Sequence, residues 1–253
     1  MNPPLRRLAL VALLLATGCA AVPDRLAAPD GADAILLGEQ HDAADHPRQH
    51  LRAVLSLAGA GRLAALALEM ADAGTSTAGL PASSDDAAVR AALRWNDEAW
   101  PWKNYGPAIM AAVRAGAPVL GANLPRARMR DAMRETSYDA LLPPAALQAQ
   151  QQAIRDGHCG LLPEAQIAPM TRIQIARDLS MARTVAAAAV PGRTVLLVAG
   201  AGHVEEALGV PQHLPPGLRW HAMRWPGEPP QKDYCADLRE KLAPPRSASG
   251  ASP

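Results

Sequence analysis

The chain has 253 residues, 49% of them hydrophobic and 19% charged, so it can build one domain with a sizeable core and is not a disordered chain. Lys and Arg (25) balance Asp and Glu (24) at a net charge of +1, without the positive surplus that a general nucleic-acid binder needs. Aromatic residues are 3%, with no Phe, which excludes a base-stacking platform and leaves an aliphatic core.

Taken in chain order, Arg6 and Arg7 precede an unbroken apolar run from Leu8 to Ala16. The run is far shorter than the ~20 residues that span a bilayer as a helix, and it fits the apolar part of a secretory signal. It ends Leu15-Ala16-Thr17-Gly18-Cys19, small residues before a Cys. This resembles a bacterial lipobox, in which residues 1–18 are removed and Cys19 is lipidated. Ala20 is not an inner-membrane retention signal of the Asp type, so an outer-membrane anchor is expected, with its leaflet open. Residues 19–32, rich in Ala, Pro and Asp, read as a tether.

A buried strand is predicted at 34–38, a helix at 47–60 and a second strand at 63–70. A Gly/Ser/Thr/Pro-rich loop at 71–83 leads to a helix at 84–95, capped by Ser84-Asp85-Asp86. Residues 95–105 read as a Trp-rich loop, 107–115 as a helix and 118–122 as a third strand. Helices dominate 125–190, too long a block for one crossover and read as a helical insertion over one end of the sheet. A fourth strand at 194–199, a Gly turn, a short helix at 204–208 and a last strand at 219–224 follow. Strands alternating with helices predict one α/β domain over 33–243 with a mostly parallel sheet. The tail 244–253 reads as disordered.

The chemistry-bearing residues sit at the strand ends. Strand one runs into Gly38-Glu39-Gln40-His41, strand two ends at Glu69, strand three at Gly121-Ala122-Asn123, and strand four runs into Gly200-Ala201-Gly202-His203. Parallel strands put their C-terminal ends on one edge, where ligands bind, so Glu39, His41, Glu69, Asn123 and His203 are expected to converge. Glu39, His41, Glu69 and His203 are a reasonable ligand set for a divalent metal, or a general acid and base. His46 and His50 lie four apart and share a helix face, a spacing that can hold a metal. Gly200-x-Gly202 lacks the third Gly of a nucleotide-binding fingerprint and reads as a tight turn near the ligand. Cys159 and Cys235 remain after Cys19, and an exported domain makes a disulfide between them an expectation.

These stretches, taken together, resemble the ChaN family of haem-binding lipoproteins, in the Tiki/ChaN-like superfamily that includes erythromycin-esterase-like enzymes. The resemblance is carried by Leu37-Gly38-Glu39-Gln40-His41-Asp42 with His46, Leu66-Ala67-Leu68-Glu69-Met70, and Trp102 with Tyr105-Gly106-Pro107. It continues in Gly121-Ala122-Asn123-Leu124-Pro125-Arg126, His158-Cys159-Gly160, Gln174 with Arg177-Asp178 and Met181-Ala182, Gly200-x-Gly202-His203 and Gly209-Val210-Pro211. It covers most of residues 33–235. The resemblance implies an α/β sheet with an added helical part and a role in haem or iron acquisition.

Haem needs an apolar slot, an axial ligand and donors for two propionates. Tyr105 is the first candidate ligand, with Tyr138, Tyr234, His158 and His203 as alternatives. Asn123 lies at the expected pocket edge, and Arg126 and Arg172 are candidate propionate partners. Trp95, Trp100 and Trp102 offer flat apolar surface or core packing. The leading expectation is a membrane-anchored haem-binding protein whose partners are haem and, through Cys19, a membrane, with a homodimer left open. The alternative is a metal-dependent hydrolase using Glu39, His41, Glu69 and His203.

Overall fold

A computed structural model describes residues 31–243 of the chain. The leader, Cys19, most of the tether and the tail 244–253 lie outside the described residues. Five strands form one sheet: β1 (Ala34–Glu39), β2 (Leu63–Asp72), β3 (Val119–Asn123), β4 (Thr194–Gly200) and β5 (Trp220–Arg224). The order is β3-β2-β4-β1-β5, and every pairing between them is parallel. All residues of β1 and β4 are buried, as continuous apolar runs in a sheet covered on both faces require.

Successive strand residues alternate between the two layers. Ile35 and Leu37 meet α1 (His46–Gly59), α2 (Asp86–Leu93) and α3 (Trp102–Arg114) through Val54, Leu93 and Ile109, whereas Ala34 and Leu36 face Met181 and Val185 of α6 (Ile167–Ala188). The long helical block divides accordingly. Its last and longest helix, α6, is the crossover that packs on the sheet, and α4 (Met129–Arg134) and α5 (Pro144–Gly157) pack on α6 as a small lobe. A C-terminal helix, α7 (Tyr234–Leu242), closes the described chain. No helix among the described residues is long and apolar enough to cross a membrane.

The connections leaving β1 and β2 go to the face of α1 and α3, whereas the chain leaving β4 turns to the other face, where Val204 and Val210 pack. β4 lies between β1 and β2. The strand ends therefore part on both sides of Gly200, the geometry that opens a crevice at a switch point.

Two expectations are corrected and one helix is added. The Trp-rich segment is a loop only to Pro101, because α3 begins at Trp102 and runs through Gly106 and Pro107. Gly-Pro here does not break a helix. Pro107 lies inside α3 and withholds the N–H that the Lys103 carbonyl would accept, a loss the helix absorbs, and Gly106 leaves room for the Trp102 indole, which a Cβ would meet at 2.5 Å. The expected helix at 204–208 is instead a single 3-10 turn, Ala201–Val204. The chain folds back there so tightly that a Cβ on Gly209 would stand 2.2 Å from the His203 carbonyl oxygen. Helix α7 follows Pro229-Pro230 and has no strong apolar pattern, so periodicity did not announce it.

Candidate functional site

The strand ends bring Glu39, His41, Glu69 and His203 into one buried cluster. Glu39, the last residue of β1, accepts hydrogen bonds at Oε1 from the Tyr105 hydroxyl (2.7 Å) and from His41 Nδ1 (2.7 Å). His50 Nε2 stands 3.1 Å from Glu39 Oε2, misaligned for a hydrogen bond, so neither ring nitrogen of this buried histidine has one. Glu69 accepts from Arg177 at 2.5 Å and from the Gly200 backbone N–H at 2.6 Å. Its two oxygens also face His203 Nε2 (3.4 Å) and His41 Nε2 (3.9 Å). His203 Nδ1 donates to Asp178 at 2.5 Å, and the Gln174 amide touches the same nitrogen at 2.9 Å. Asn123 Oδ1, at the end of β3, accepts from Arg177 Nε at 2.9 Å. His41 alone reaches solvent from the centre: its side chain is 40% exposed, and its ring packs edge-on to Trp100 at 4.8 Å.

Local structure explains the convergence. The β2–β3 register passes from Leu68↔Gly121 to Asp72↔Asn123, so β2 holds two extra residues around Glu69. A bulge of this kind re-aims a side chain, and Glu69 turns toward β4. Gly200 lets the two side chains come close: a Cβ there would lie 3.0 Å from His41 Nε2 and 3.5 Å from Glu69 Oε2.

The charges are divided by burial and pairing. Burial works against an ionised Glu69, but His203 and Arg177 outweigh it and hold the carboxyl well below its usual range. Burial also opposes a charged His203, and Glu69 and Asp178 overcome it, holding its pKa up to about 9. Burial raises the Asp178 carboxyl, with His203 pulling back against it. For His41 burial again opposes charge, yet Glu39 and Glu69 leave its pKa raised. Burial pushes His50 down to about 4, so it is neutral. Burial and the charge of Glu39 push the Tyr105 hydroxyl far above its ordinary range.

These facts correct one expectation. Glu39, His41, Glu69 and His203 come together but do not form a metal site: among the described residues no group of three or more His, Cys, Asp or Glu is arranged to hold an ion. The physical reason is occupancy and charge. Glu39 Oε1 and both Glu69 oxygens already accept N–H and O–H donors, and Arg177 places a fixed positive charge on Glu69. Tyr105 is buried inside α3, and its hydroxyl donates to Glu39.

The other candidates divide by what they already bind. His203 is enclosed by Glu69 and Asp178. The Tyr234 hydroxyl donates to Asp42, and Arg172 holds Asp139 with both Nε (2.9 Å) and Nη2 (2.7 Å) rather than standing open for a propionate. The pair His46 and His50 does share a face, the buried one. His46 Nδ1 accepts the Gln40 backbone N–H and its Nε2 donates to the Pro226 carbonyl, so it clasps the two segments together. Three candidates stay open. Arg126 is exposed just beyond β3. His158 spends Nδ1 on the Ile154 carbonyl and keeps Nε2. Tyr138 is half-buried, and its hydroxyl has no partner among the described residues. Cys159 and Cys235 form a disulfide, with Cα atoms 5.7 Å apart.

Asp178 and Arg177 are central, and the strand-end reading assigned them no role. A signal for Asp178 was present: Thr171, Ile175, Asp178, Ala182 and Val185 recur every three or four residues along α6 and all are buried, so a carboxylate on that stripe needs a partner. Arg177 carries no such mark.

The chain matches the family described as "Haem-binding uptake, Tiki superfamily, ChaN" over residues 26–214. It belongs to the ChaN family. Among solved structures, the ChaN protein of Campylobacter jejuni, described as showing cofacial heme binding, is similar with a TM-score of 0.61 and 23% identity, over 79% of this chain and 84% of that one. That likeness shows a shared fold. No curated protein matches the chain. The ChaN fold here is the five-stranded parallel sheet with its helices and the small lobe.

Proposed function

We propose that the chain binds haem beside the C-terminal edge of its sheet and serves haem or iron uptake from a lipid-anchored position at the bacterial outer membrane. The observation that carries the reading is membership of a haem-binding uptake family across 26–214. The described ChaN relative binds haem, and the residues of this chain are suited to it.

Haem iron is held in proteins by His, Cys, Met or Tyr. Tyr138 is the best-placed Tyr, because its hydroxyl is uncommitted. Its turn is fastened to α6 by Arg172, which holds Asp139 and the Met133 carbonyl. The Tyr138 turn packs on α6, the helix that also carries Gln174, Arg177 and Asp178. Arg126, exposed next to Asn123, supplies a cation for a propionate. Trp100 beside His41 supplies apolar surface. The metal-hydrolase alternative is not favoured, since three of the four carboxylate oxygens it needs are already engaged.

The test is an absorbance titration of the chain without its leader against ferric haem. A saturable Soret shift is expected, altered in Tyr138→Phe and kept in Tyr105→Phe. The absence of a saturable shift sinks haem binding. A shift indifferent to Tyr138→Phe keeps the function and moves the ligand to His158 or His41.

A further inference from the structure

The segment after β5 joins the two sides of the strand-end site. Its first part clasps the turn that carries His41. The Glu228 carboxylate accepts from the backbone N–H of Ala44 (3.0 Å) and Asp45 (3.2 Å), and Gln40 Oε1 accepts from the Glu228 N–H at 3.0 Å. Asp42, next to His41, accepts from the Gln231 N–H (3.0 Å) and the Tyr234 hydroxyl (2.9 Å). The following residue, Cys235, is bonded to Cys159 just beyond α5, 76 positions earlier in the chain. α5 packs on α6, which presents Gln174, Arg177 and Asp178 to the site. The path Asp42–Tyr234–Cys235–Cys159 therefore ties the His41 turn to the helical lobe.

One further observation bears on this tie. Helix α7 buries none of its residues, so little packing backs the sulfur–sulfur bond there. Both cysteines are half-buried, within reach of a small reductant.

We infer that the Cys159–Cys235 disulfide is a redox latch: closed, it fastens the C-terminal strap between the His41 turn and the helical lobe; reduced by a dithiol, it frees the strap end and α7 and opens the strand-end site on that side. In the step, one thiolate of the dithiol attacks a cysteine Sγ, the S–S bond breaks, and the other Sγ leaves as a thiolate. The second thiolate of the reductant then displaces the first cysteine. The reductant ends as a disulfide, two electrons have passed to the cysteine pair, and two protons complete the thiols. What the opening admits rests on the haem reading; the latch itself does not.

The test is amide hydrogen exchange on the chain without its leader, with and without dithiothreitol, and on Cys235→Ser without reductant. Reduction and the substitution are each expected to speed exchange in 226–243, 40–46 and 155–162, while β1, β2 and β4 stay protected. Haem association is expected to become several-fold faster in the reduced protein. Unchanged exchange overturns the latch, and so does loss of protection across the whole sheet, which would make the bond a stability staple. Faster local exchange with an unchanged haem association rate overturns its control of access. If neither redox state takes up haem, the proposed function falls, and the exchange result alone decides the latch.

Discussion

At the residue scale, the site is a set of charges that exist because each has a buried partner. His203 is the centre. Its imidazolium lies between Glu69 and Asp178 and is itself buried. A histidine of ordinary pKa 6.5 held up to about 9 in the fold contributes stability that is fully present below pH 6.5 and is lost as pH rises through about 9. The shift corresponds to roughly 3 kcal/mol. Urea unfolding across pH 6 to 10 should show this fall in the wild type. His203→Gln should be weaker at pH 6 and nearly flat over the same window. Parallel profiles for the two proteins would contradict the assignment.

At the element scale, chain termini of helices were read well where the capping chemistry is local, and poorly where packing overrides it. Ser84-Asp85-Asp86 marks the start of α2, and the Asp85 side chain accepts from the Ala88 N–H at 2.8 Å. Asp85→Ala should cost about 1 kcal/mol, measured as a lower midpoint in thermal or urea unfolding. A neutral result would show that α2 is held by Val89 and Leu93 in the core rather than by its cap. The start of α3 illustrates the opposite case. Gly106-Pro107 looks like a stop in sequence, yet the Trp102 indole over Gly106 and its bond to Asp86 Oδ2 at 2.8 Å carry the helix back to Trp102. That shift moves Tyr105 from a loop edge into a buried helix face.

At the scale of the whole molecule, the fold sets Glu39, Glu69 and Gly200 side by side because β4 is inserted between β1 and β2. The same arrangement leaves the helical lobe and the C-terminal strap to meet above the strand ends, joined by one disulfide. Placement in the cell rests on the leader alone. The lipobox resemblance at Cys19 leads us to expect full-length protein in the membrane fraction, and Cys19→Ser protein in the soluble fraction, on cell fractionation. Membrane retention of Cys19→Ser would remove the anchor from the proposal.

The sequence by itself determined the fold class and the edge where the site would be found. Unbroken apolar runs at β1, β2 and β4 mark strands buried on both faces, and parallel strands carry whatever follows their C-terminal ends to one place. Glu39, His41, Glu69, Asn123 and His203 could thus be grouped without coordinates. Only the tertiary structure decided what that group is. Strand order, the two extra residues around Glu69 and the inward face of α6 depend on contacts between distant segments, and no local pattern encodes them. They pair the carboxylates with Arg177, Tyr105 and the two histidines. Three of the four oxygens of Glu39 and Glu69 that a list of residue types leaves free for a metal are, in the folded chain, already engaged by its own N–H and O–H groups.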